Sequence, residues 1–374
     1  MKIARIEIYQ HDLPVKGGVY RLSGGRKYTS YDATFTRVIT EDGMEGWGES
    51  TPFGSTYIAA HAKGTRAGLA LLAPALLGQD PRAYDRRAER MSATLKGHRD
   101  ARCALDVACW DLSARAAGLP LCEMLGGRIE APVPVISSIG GDTPDTMRAK
   151  VAQHRAAGFQ GHSIKIGASE DEGGPALDAE RIRACLADRA PGEWFLADAN
   201  NGLTSEHALR MIALLPAGTD IVLEAPCASW AETAALRARC PLPILLDELI
   251  QSEADLIDAV RRSLCDGVGL KISKQGGITA MVRQRSIATA AGLVMSIQDT
   301  VGSEVAAAAI FHVAASTPRN LLRCALDPRS MVDASIAALD APVLNGGVTP
   351  PRTPGLGVTP NPDTLGAPVA VYEA

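Results

Sequence analysis

The pattern of hydrophobic and polar positions changes near residue 132. Beyond this point, short apolar runs alternate with longer stretches of helical periodicity. Runs that are almost continuously apolar are typical of parallel strands covered on both faces. Strands that alternate with helices predict a parallel sheet, here closed into a barrel. The eight runs are VPVISSI, HSIKIG, WFLADAN, IVLEAP, ILLDEL, GVGLKIS, LVMSIQD and LLRCAL.

The preceding part of the chain has a different pattern, which predicts an α+β domain. Its start, MKIARIEIYQHDLPV, alternates apolar and polar residues as a first strand does, and it lacks the apolar core of a signal peptide. Asp42 and Gly43 stand between two β-rich runs and predict a hairpin turn. The segment ARCALDVACWDLSARAAG has helical spacing, and Gly118 is expected to end that helix.

These patterns predict an α/β fold, a modified TIM barrel of (β/α)7β type with an N-terminal α+β capping domain. We expect the capping domain at 1–130 and the barrel at 131–328. The segment 329–374 is rich in Pro and Gly and is expected to pack back on the capping domain. Two Gly-Gly pairs in 15–31 fit either a plain surface loop or a mobile lid over the barrel mouth.

Acidic residues end three successive apolar runs, at Asp198, Glu224 and Asp247. The carboxyl ends of barrel strands meet at one face, where catalytic residues are found. Three buried anions need a compensating charge, which a divalent cation supplies. Because no His or Cys accompanies them, Mg²⁺ is favoured over Zn²⁺, with Mn²⁺ as an alternative.

Lysines end the runs just before and just after the acidic ones, at Lys165 and Lys271. They belong to the second and sixth of eight strands, so they should face each other across the metal site. One interpretation is that they are salt-bridge partners of the carboxylates. The other is that desolvation and a nearby cation lower the pKa of each ammonium, so that both act as bases. Two opposed bases suit racemisation, epimerisation or β-elimination.

Other polar residues near these strand ends are candidates for supporting roles. Ser163, Asn200 and Glu248 could orient the lysines and the metal ligands. Asn200 is expected on the same strand face as Asp198 because it stands two residues later. Asp299 and Thr300 could bind a substrate cation, whereas a helix N-cap is the competing interpretation of Asp299.

Composition excludes some functions. The net charge of −4 gives no electrostatic case for a nucleic acid or an anionic membrane as partner, and no apolar run is long enough to span a bilayer. The eight cysteines include no Cys-x-x-Cys pair and predict reduced thiols in a cytoplasmic protein. Glycine-rich phosphate loops are absent, and the seven histidines lack metal-ligand spacing.

At these residues the chain resembles the enolase superfamily, in its muconate-lactonizing-enzyme-like branch. The run ALDVACWDLSARAAGLPLCEMLGG is similar to the end of that family's capping domain. The resemblance implies that Asp198, Glu224 and Asp247 bind Mg²⁺ and that Lys165 and Lys271 are the acid/base pair. It also implies a symmetric homo-oligomer.

The resemblance further implies that substrate lies between the barrel mouth and the capping-domain loops at about 15–31 and 50–61, with Tyr57 as a candidate contact. Two departures from family patterns occur. Ser163 replaces the first lysine of a frequent Lys-x-Lys pair on the second strand, and the seventh strand ends in SIQDT without the histidine base of the mandelate-racemase branch.

A narrower set of runs resembles the family of bacterial cis-3-hydroxy-L-proline dehydratases. These runs include YRLSGGRKYTSYDAT, LKGHRDAR, SKQGG and SIQDTVGS. The resemblance implies a hydro-lyase acting on a cyclic imino acid, whose cationic nitrogen fits Asp299, and Δ1-pyrroline-2-carboxylate as the product. The alternatives are a 2-epimerase or racemase of a proline derivative, such as a hydroxyproline betaine, or of a dipeptide. A catalytically inactive barrel that serves as a binding protein is the non-enzyme alternative.

Overall fold

An antiparallel sheet covered by helices forms the N-terminal part of the fold. The computed structural model describes all residues 1–374. The sheet has the strand order β15-β1-β4-β5, in which β15 (Ala370–Glu373) comes from the C-terminal segment, and β2 pairs with β3 as a separate ribbon. The elements are β1 (Ile3–Pro14), β2 (Tyr20–Arg21), β3 (Lys27–Tyr28), β4 (Ser30–Thr40), β5 (Glu45–Ser50), α1 (Ala62–Leu76), α2 (Tyr84–Thr94), α3 (Arg99–Ala117) and α4 (Leu121–Met124).

The local predictions for this part are confirmed. β4 and β5 form an antiparallel hairpin across the predicted turn, where Gly43 has a φ of +81°. Helix α3 ends at Gly118 in the left-handed conformation. α3 packs directly on β5, because a Cβ atom at Gly48 would lie only 2.1 Å from the carbonyl oxygen of Ala104.

The predicted barrel is also confirmed. Eight parallel strands follow one another in chain order, and β13 pairs with β6 to close the ring. The elements are β6 (Val133–Ile139), α5 (Pro144–Ala156), β7 (Gly161–Lys165), α6 (Gly174–Leu186), β8 (Trp194–Asp198), α7 (Ser205–Ala213), β9 (Val222–Glu224), α8 (Trp230–Arg237), β10 (Ile244–Leu246), α9 (Glu253–Arg261), β11 (Gly267–Lys271), α10 (Ile272–Gln275), α11 (Ile278–Ala290), β12 (Val294–Gln298), α12 (Glu304–Ala315) and β13 (Leu322–Leu326).

The C-terminal segment contacts both parts of the fold. Its elements are β14 (Gly347–Val348), α13 (Pro362–Leu365) and β15 (Ala370–Glu373). β14 runs antiparallel to barrel strand β6, and β15 extends the capping sheet beside β1. None of the helices combines the length and the apolar character that crossing a membrane requires.

Two buried carboxylates of the capping domain receive hydrogen bonds from the first turns of barrel helices. Glu49 on β5 accepts the backbone N–H groups of Ser303 and Ala306 at 3.0 and 3.1 Å, at the start of α12. Asp106 on α3 accepts the N–H of Thr279 at 2.8 Å, at the start of α11. Helix N-termini favour negative charge, so these contacts fix the capping domain over the barrel.

The segment 15–31 lies over the carboxyl ends of the barrel strands. Ser23 Oγ donates a hydrogen bond to the carbonyl oxygen of Ile166, which follows β7, at 2.5 Å. Tyr20 and Leu22 are buried against the barrel mouth. This location is the one that a lid requires.

Candidate active site

The strands that carry the predicted residues are neighbours in the barrel. Lys165, Asp198 and Glu224 lie side by side in the registers of β7, β8 and β9. Together with Lys271 from the opposite side of the barrel, they line a narrow cavity of about 30 Å³. All four side chains are buried. The cavity has room for only a few water molecules, so charges within it are poorly screened.

Each predicted lysine forms an ion pair with a predicted metal ligand. Lys165 Nζ contacts Asp198 Oδ2, and Lys271 Nζ contacts Asp247 Oδ2. Burial alone would lower the pKa of Lys165, but the neighbouring carboxylate of Asp198 outweighs it and the pKa is raised. The same balance, with Asp247 as the partner, raises the pKa of Lys271 to about 12. These directions describe the ion-paired lysines, and the lower pKa expected beside a bound divalent cation stays a prediction.

Asp247 has a second lysine partner that sequence reasoning missed. Lys274 Nζ donates to Asp247 Oδ1 at 2.6 Å and to the backbone oxygen of Asp247 at 2.5 Å. Burial would raise the pKa of Asp247, but Lys271 and Lys274 lower it to about 2. The only sequence signal for Lys274 is its place in the run SKQGG, one helical turn after Lys271.

Glu224 is the carboxylate without a lysine partner. Burial and the nearby charges of Asp198 and Asp247 raise its pKa to about 8. Gln298, a second residue that sequence reasoning missed, donates its Nε2–H to Glu224 Oε1 at 3.0 Å. Gly269 leaves space beside these acids, because a Cβ atom there would lie 3.2 Å from Glu224 Oε1.

The supporting residues are arranged differently from the prediction in one respect. β8 ends at Asp198, and Asn200 lies beyond it in a left-handed conformation with a φ of 43°. The prediction that Asn200 shares the strand face of Asp198 is therefore wrong. Its Nδ2 nevertheless donates to Asp198 Oδ2 and to Glu248 Oε1, both at 3.1 Å. Ser163 borders the cavity but makes no hydrogen bond to either lysine.

Asp299 and Thr300 also border the cavity, but protein donors already engage them. Asp299 accepts the N–H of Thr300 at 2.7 Å and the N–H of Ser273 at 3.1 Å. Burial raises the pKa of Asp299 to about 6. The carboxylate thus caps the start of the short helix α10 instead of a helix that follows it. Thr300 Oγ1 donates to the backbone oxygen of Thr51 at 2.6 Å.

Aromatic side chains of the capping domain close the cavity. Tyr57 accepts a hydrogen bond from Lys271 Nζ and donates one to Asp247 Oδ2 at 3.3 Å. Phe53 packs edge-to-face between Tyr57 and Tyr20, with ring centroids 5.7 and 5.5 Å away. Sequence reasoning identified Tyr57 but missed Phe53 and Tyr20.

The donor set suits a hard divalent cation. All candidate ligands are carboxylate oxygens, which Mg²⁺ prefers. As the side chains stand, no three His, Cys, Asp or Glu residues are grouped as a ready ligand set, and Asp198 and Asp247 are turned towards lysines. Two buried oxygens beside Asp198, Asn200 Oδ1 and Glu248 Oε2, lack any hydrogen-bond donor. A carboxylate without a lysine partner, Glu224, and two unpaired acceptors together fit a cation at this place.

Two family models match the chain. The model for the mandelate racemase / muconate lactonizing enzyme N-terminal domain matches residues 27–126, and the model for the enolase C-terminal domain-like family matches residues 146–364. The chain belongs to the enolase superfamily. Its capping domain and closed barrel are the fold of that superfamily.

Individual proteins and structures are similar to this chain over most or all of its length. A cis-3-hydroxy-L-proline dehydratase of Roseibium aggregatum is 36% identical over 372 residues, which covers 100% of both chains. An N-succinyl-L-Arg/Lys racemase of Bacillus cereus is 27% identical and covers 84% of this chain and 85% of its own. A crystal structure from Roseovarius nubinhibens, assigned to the mandelate racemase/muconate lactonizing enzyme group and complexed with magnesium, is 72% identical. It covers 100% of both chains with a TM-score of 0.98.

Proposed function

We propose that this enzyme is a magnesium-dependent hydro-lyase that converts cis-3-hydroxy-L-proline to Δ1-pyrroline-2-carboxylate and water. The main support is the geometry of Lys165 and Lys271, which end opposite strands of the barrel and border one narrow cavity. The full-length similarity to a cis-3-hydroxy-L-proline dehydratase supports the choice of substrate. The preferred substrate class is therefore a small cyclic imino acid with a carboxylate.

Asp198, Glu224 and Asp247 would hold Mg²⁺ or, as the alternative, Mn²⁺. When bound, the cation supplies positive charge to the substrate carboxylate and draws the ligand carboxylates away from the lysines. Asn200 connects Asp198 to Glu248 through its amide and would keep this acidic cluster in position.

The two lysines would do the proton transfers. One lysine in its neutral form takes the proton from C2, and the electron pair of that C–H bond forms the C2=C3 double bond. The C3–O bond breaks, and the other lysine, as an ammonium, gives its proton to the departing hydroxide, which leaves as water. The enamine that remains tautomerises to Δ1-pyrroline-2-carboxylate. Lys165 and Lys271 are both candidates for the base.

The walls of the cavity favour a small substrate. Tyr20, Phe53 and Tyr57 close it on the capping-domain side. Asp299 and Thr300 border it on the barrel side, and the buried carboxylate of Asp299 would attract a ring ammonium. A five-membered imino acid demands less rearrangement of these walls than a dipeptide does.

The test is proton NMR of cis-3-hydroxy-L-proline with the enzyme and Mg²⁺ in D₂O. Dehydration predicts loss of the signal of the C3–H proton beside the hydroxyl and appearance of the pyrroline signals. Lys165→Ala and Lys271→Ala should each lower turnover by roughly 10²- to 10⁴-fold. If both variants still exchange the C2 proton with solvent, the assigned roles of the lysines are wrong.

A 2-epimerase of a proline derivative, or of a dipeptide, is the second candidate function. It shares the first proton transfer, and two opposed lysines could serve opposite faces of C2. The racemase and epimerase relatives favour it, including a D-Ala-D/L-Ala epimerase of Cytophaga hutchinsonii at 28% identity. In the same NMR experiment, deuterium at C2 with a retained ring hydroxyl would identify an epimerase. No Mg²⁺-dependent turnover of hydroxyproline isomers, betaines or sugar acids would favour a binding protein instead.

We also propose a cytoplasmic location for the enzyme. All eight cysteines are free thiols, and seven of them are buried, which suits the reducing cytoplasm. In addition, we propose that the enzyme forms a symmetric homo-oligomer, as many soluble enzymes do. Light scattering would measure the mass of the assembly and hence the number of subunits.

A further inference from the structure

A second, more open concave space lies at the opposite end of the barrel from the candidate active site. It has a volume of about 550 Å³, within the range of small-molecule sites. Its walls come from the starts of several barrel strands, including Pro134 on β6, Trp194 on β8 and Val294 on β12. The C-terminal segment forms one side through Asn345 and Gly346, in the tight turn before β14 where Leu344 pairs with Gly347, which we call the β14 hairpin. We call this space the basal cavity.

The charge of the basal cavity is entirely positive. Arg319 and Arg323 line it, and no Asp or Glu is among its thirteen lining residues. Neither guanidinium forms an ion pair or a hydrogen bond with another residue, whereas most of the protein's other arginines are paired with carboxylates or carbonyl oxygens. Arg319 is exposed and Arg323 is half-buried, so both guanidinium groups are open to a ligand that arrives from solvent.

The other residues of the basal cavity orient Arg323 and add polar groups to its walls. The guanidinium of Arg323 lies 6.0 Å from the ring centroid of Trp194, a distance at which the indole attracts and orients a cation. The side chains of Gln160, Asn320 and Asn345 add amide donors and acceptors. Close packing of the hairpin requires a glycine, because a Cβ atom at Gly346 would lie 2.5 Å from Gln160 Oε1.

We infer that the basal cavity is a binding site for a small anion with at least two charged oxygens, either a phosphate ester or a dicarboxylate. Two planar guanidinium groups can each donate paired hydrogen bonds to such oxygens. The absence of an acid removes the competing intramolecular partner. Because the walls belong to the barrel and to the C-terminal segment, a bound anion would tie the β14 hairpin to the barrel and stabilise the folded chain.

Trp194 is a built-in reporter for the test. The Mg²⁺-loaded enzyme is titrated with inorganic phosphate and, separately, with succinate, at constant ionic strength adjusted with chloride. Tryptophan fluorescence and calorimetry are recorded together. At least one of the two anions should bind with a dissociation constant below ~10 mM and change the fluorescence. The fluorescence change should disappear in Trp194→Phe, whereas the calorimetric signal should remain.

The decisive variant is Arg319→Gln combined with Arg323→Gln. It should weaken anion binding by at least about tenfold, since two charge-assisted contacts are lost. Arg239→Gln is the matched control, because Arg239 is exposed, makes no side-chain hydrogen bond and lies outside the basal cavity. Neither variant should change turnover at the other end of the barrel. Circular dichroism would show that both variants fold.

Each outcome of these titrations leads to a different conclusion about the ligand. A phosphate response without a succinate response identifies a phosphate ester as the ligand class, and the reverse identifies a dicarboxylate. If neither anion binds below that concentration, or if the double variant binds as tightly as the unchanged enzyme, the basal cavity is not an anion site. Binding lost in Lys165→Ala but kept in the double arginine variant would place the anion in the active site and overturn the inference.

Discussion

Asp247 and Lys274 form a buried ion pair on the side of the Asp247 carboxylate that faces away from Lys271. Lys274 Nζ lies 2.6 Å from Oδ1, whereas Lys271 contacts Oδ2. The same Lys274 ammonium also reaches the carbonyl oxygens of Asp247 and Gly269 at 2.5 and 3.3 Å. Lys274 therefore fixes a candidate metal ligand, while the other oxygen of that ligand faces the proposed acid/base.

Lys274→Gln should impair catalysis by disturbing Asp247 rather than by removing a base. The amide can keep one hydrogen bond to Asp247, but the charge that holds the carboxylate is lost. We expect about a 10- to 100-fold fall in Mg²⁺ affinity or kcat/KM, the usual effect of removing a residue that orients a metal ligand. Mg²⁺ titration of activity and calorimetry measure it.

Lys274→Arg is the matched variant, because it keeps the charge and should recover part of the metal affinity. Both variants should retain C2 proton exchange at saturating Mg²⁺. An unchanged metal affinity in Lys274→Gln would show that Lys274 only fills space beside Asp247.

Lys165→Ala and Lys271→Ala should differ in one measurable respect. Each removes a proton-transfer group and should lower dehydration by roughly 10²- to 10⁴-fold. Only the variant that lacks the base should also lose deuterium incorporation at C2. NMR of recovered substrate in D₂O therefore assigns the base. Equal loss of exchange in both variants would mean that the lysines act as a unit and not as separate acid and base.

Much of this arrangement could be predicted from the sequence, because the periodicity of the strands and the position of each polar residue at a strand end are local properties. The eight runs became the eight barrel strands, and Lys165, Asp198, Glu224 and Lys271 border one cavity. Pairings that depend on the tertiary arrangement were out of reach. Lys274 lies on a four-residue helix that follows β11, and its contact with Asp247 depends on how that helix turns back on the barrel.

The pKa of each lysine in the ion-paired arrangement is a further property that the sequence alone does not determine. Burial acts in the predicted direction, but the orientation of the side chains places Asp198 on Lys165 and Asp247 on Lys271. The sign of the shift depends on which of the two terms is larger, and a sequence does not contain those distances. The same holds for Asn200, where the strand ends two residues earlier than its spacing suggests.

Removal of the divalent cation should abolish turnover and reduce thermal stability. Three buried carboxylates share the site, and burial together with Asp198 and Asp247 raises the pKa of Glu224 to about 8. A cation that binds only the folded state adds roughly 2.7 kcal/mol of stability when its concentration is 100 times its dissociation constant. Differential scanning fluorimetry with EDTA, and then with excess Mg²⁺, measures the effect.

Glu224→Gln is the control for the metal effect, because it removes one ligand charge and relieves the repulsion among the carboxylates. This variant should be less responsive to Mg²⁺ than the unchanged enzyme. A melting temperature that rises equally with Mg²⁺ in both proteins would place the cation elsewhere.

Tyr57→Phe should distinguish the contribution of the Tyr57 hydroxyl from that of its ring, which forms part of the cavity wall. The ring lies 4.7 Å from Lys271 Nζ and packs on Phe53, and both contacts survive the substitution. The hydroxyl contacts with Lys271 and Asp247 are lost, so we expect about a tenfold fall in kcat/KM, the value of one hydrogen bond to a charged group. Tyr57→Ala should be more damaging because it also opens the cavity. Equal activities of Tyr57→Phe and the unchanged enzyme would show that only the ring matters.

Glu49 should give the contact between the two domains a pH dependence. Burial raises its pKa from 4.5 to about 7, although Ser303, Thr51 and Ala306 donate hydrogen bonds to it. A carboxyl group whose pKa is higher in the folded than in the unfolded chain binds its proton more tightly when folded. Its contribution is complete below pH 4.5 and is lost as the pH rises towards 7.

The free energy of unfolding should therefore fall between pH 5 and pH 8 by at most about 3 kcal/mol more in the unchanged protein than in Glu49→Gln. Urea unfolding followed by circular dichroism at each pH measures the difference. Glu7→Gln is the matched control, because the pKa of Glu7 is lowered in the folded protein and its titration lies below this window. The opposite outcome is an unfolding free energy that changes with pH equally in the unchanged protein and in Glu49→Gln. That result would mean that the N-terminus of α12 keeps Glu49 ionised throughout this range. The contact between the domains would then not respond to pH.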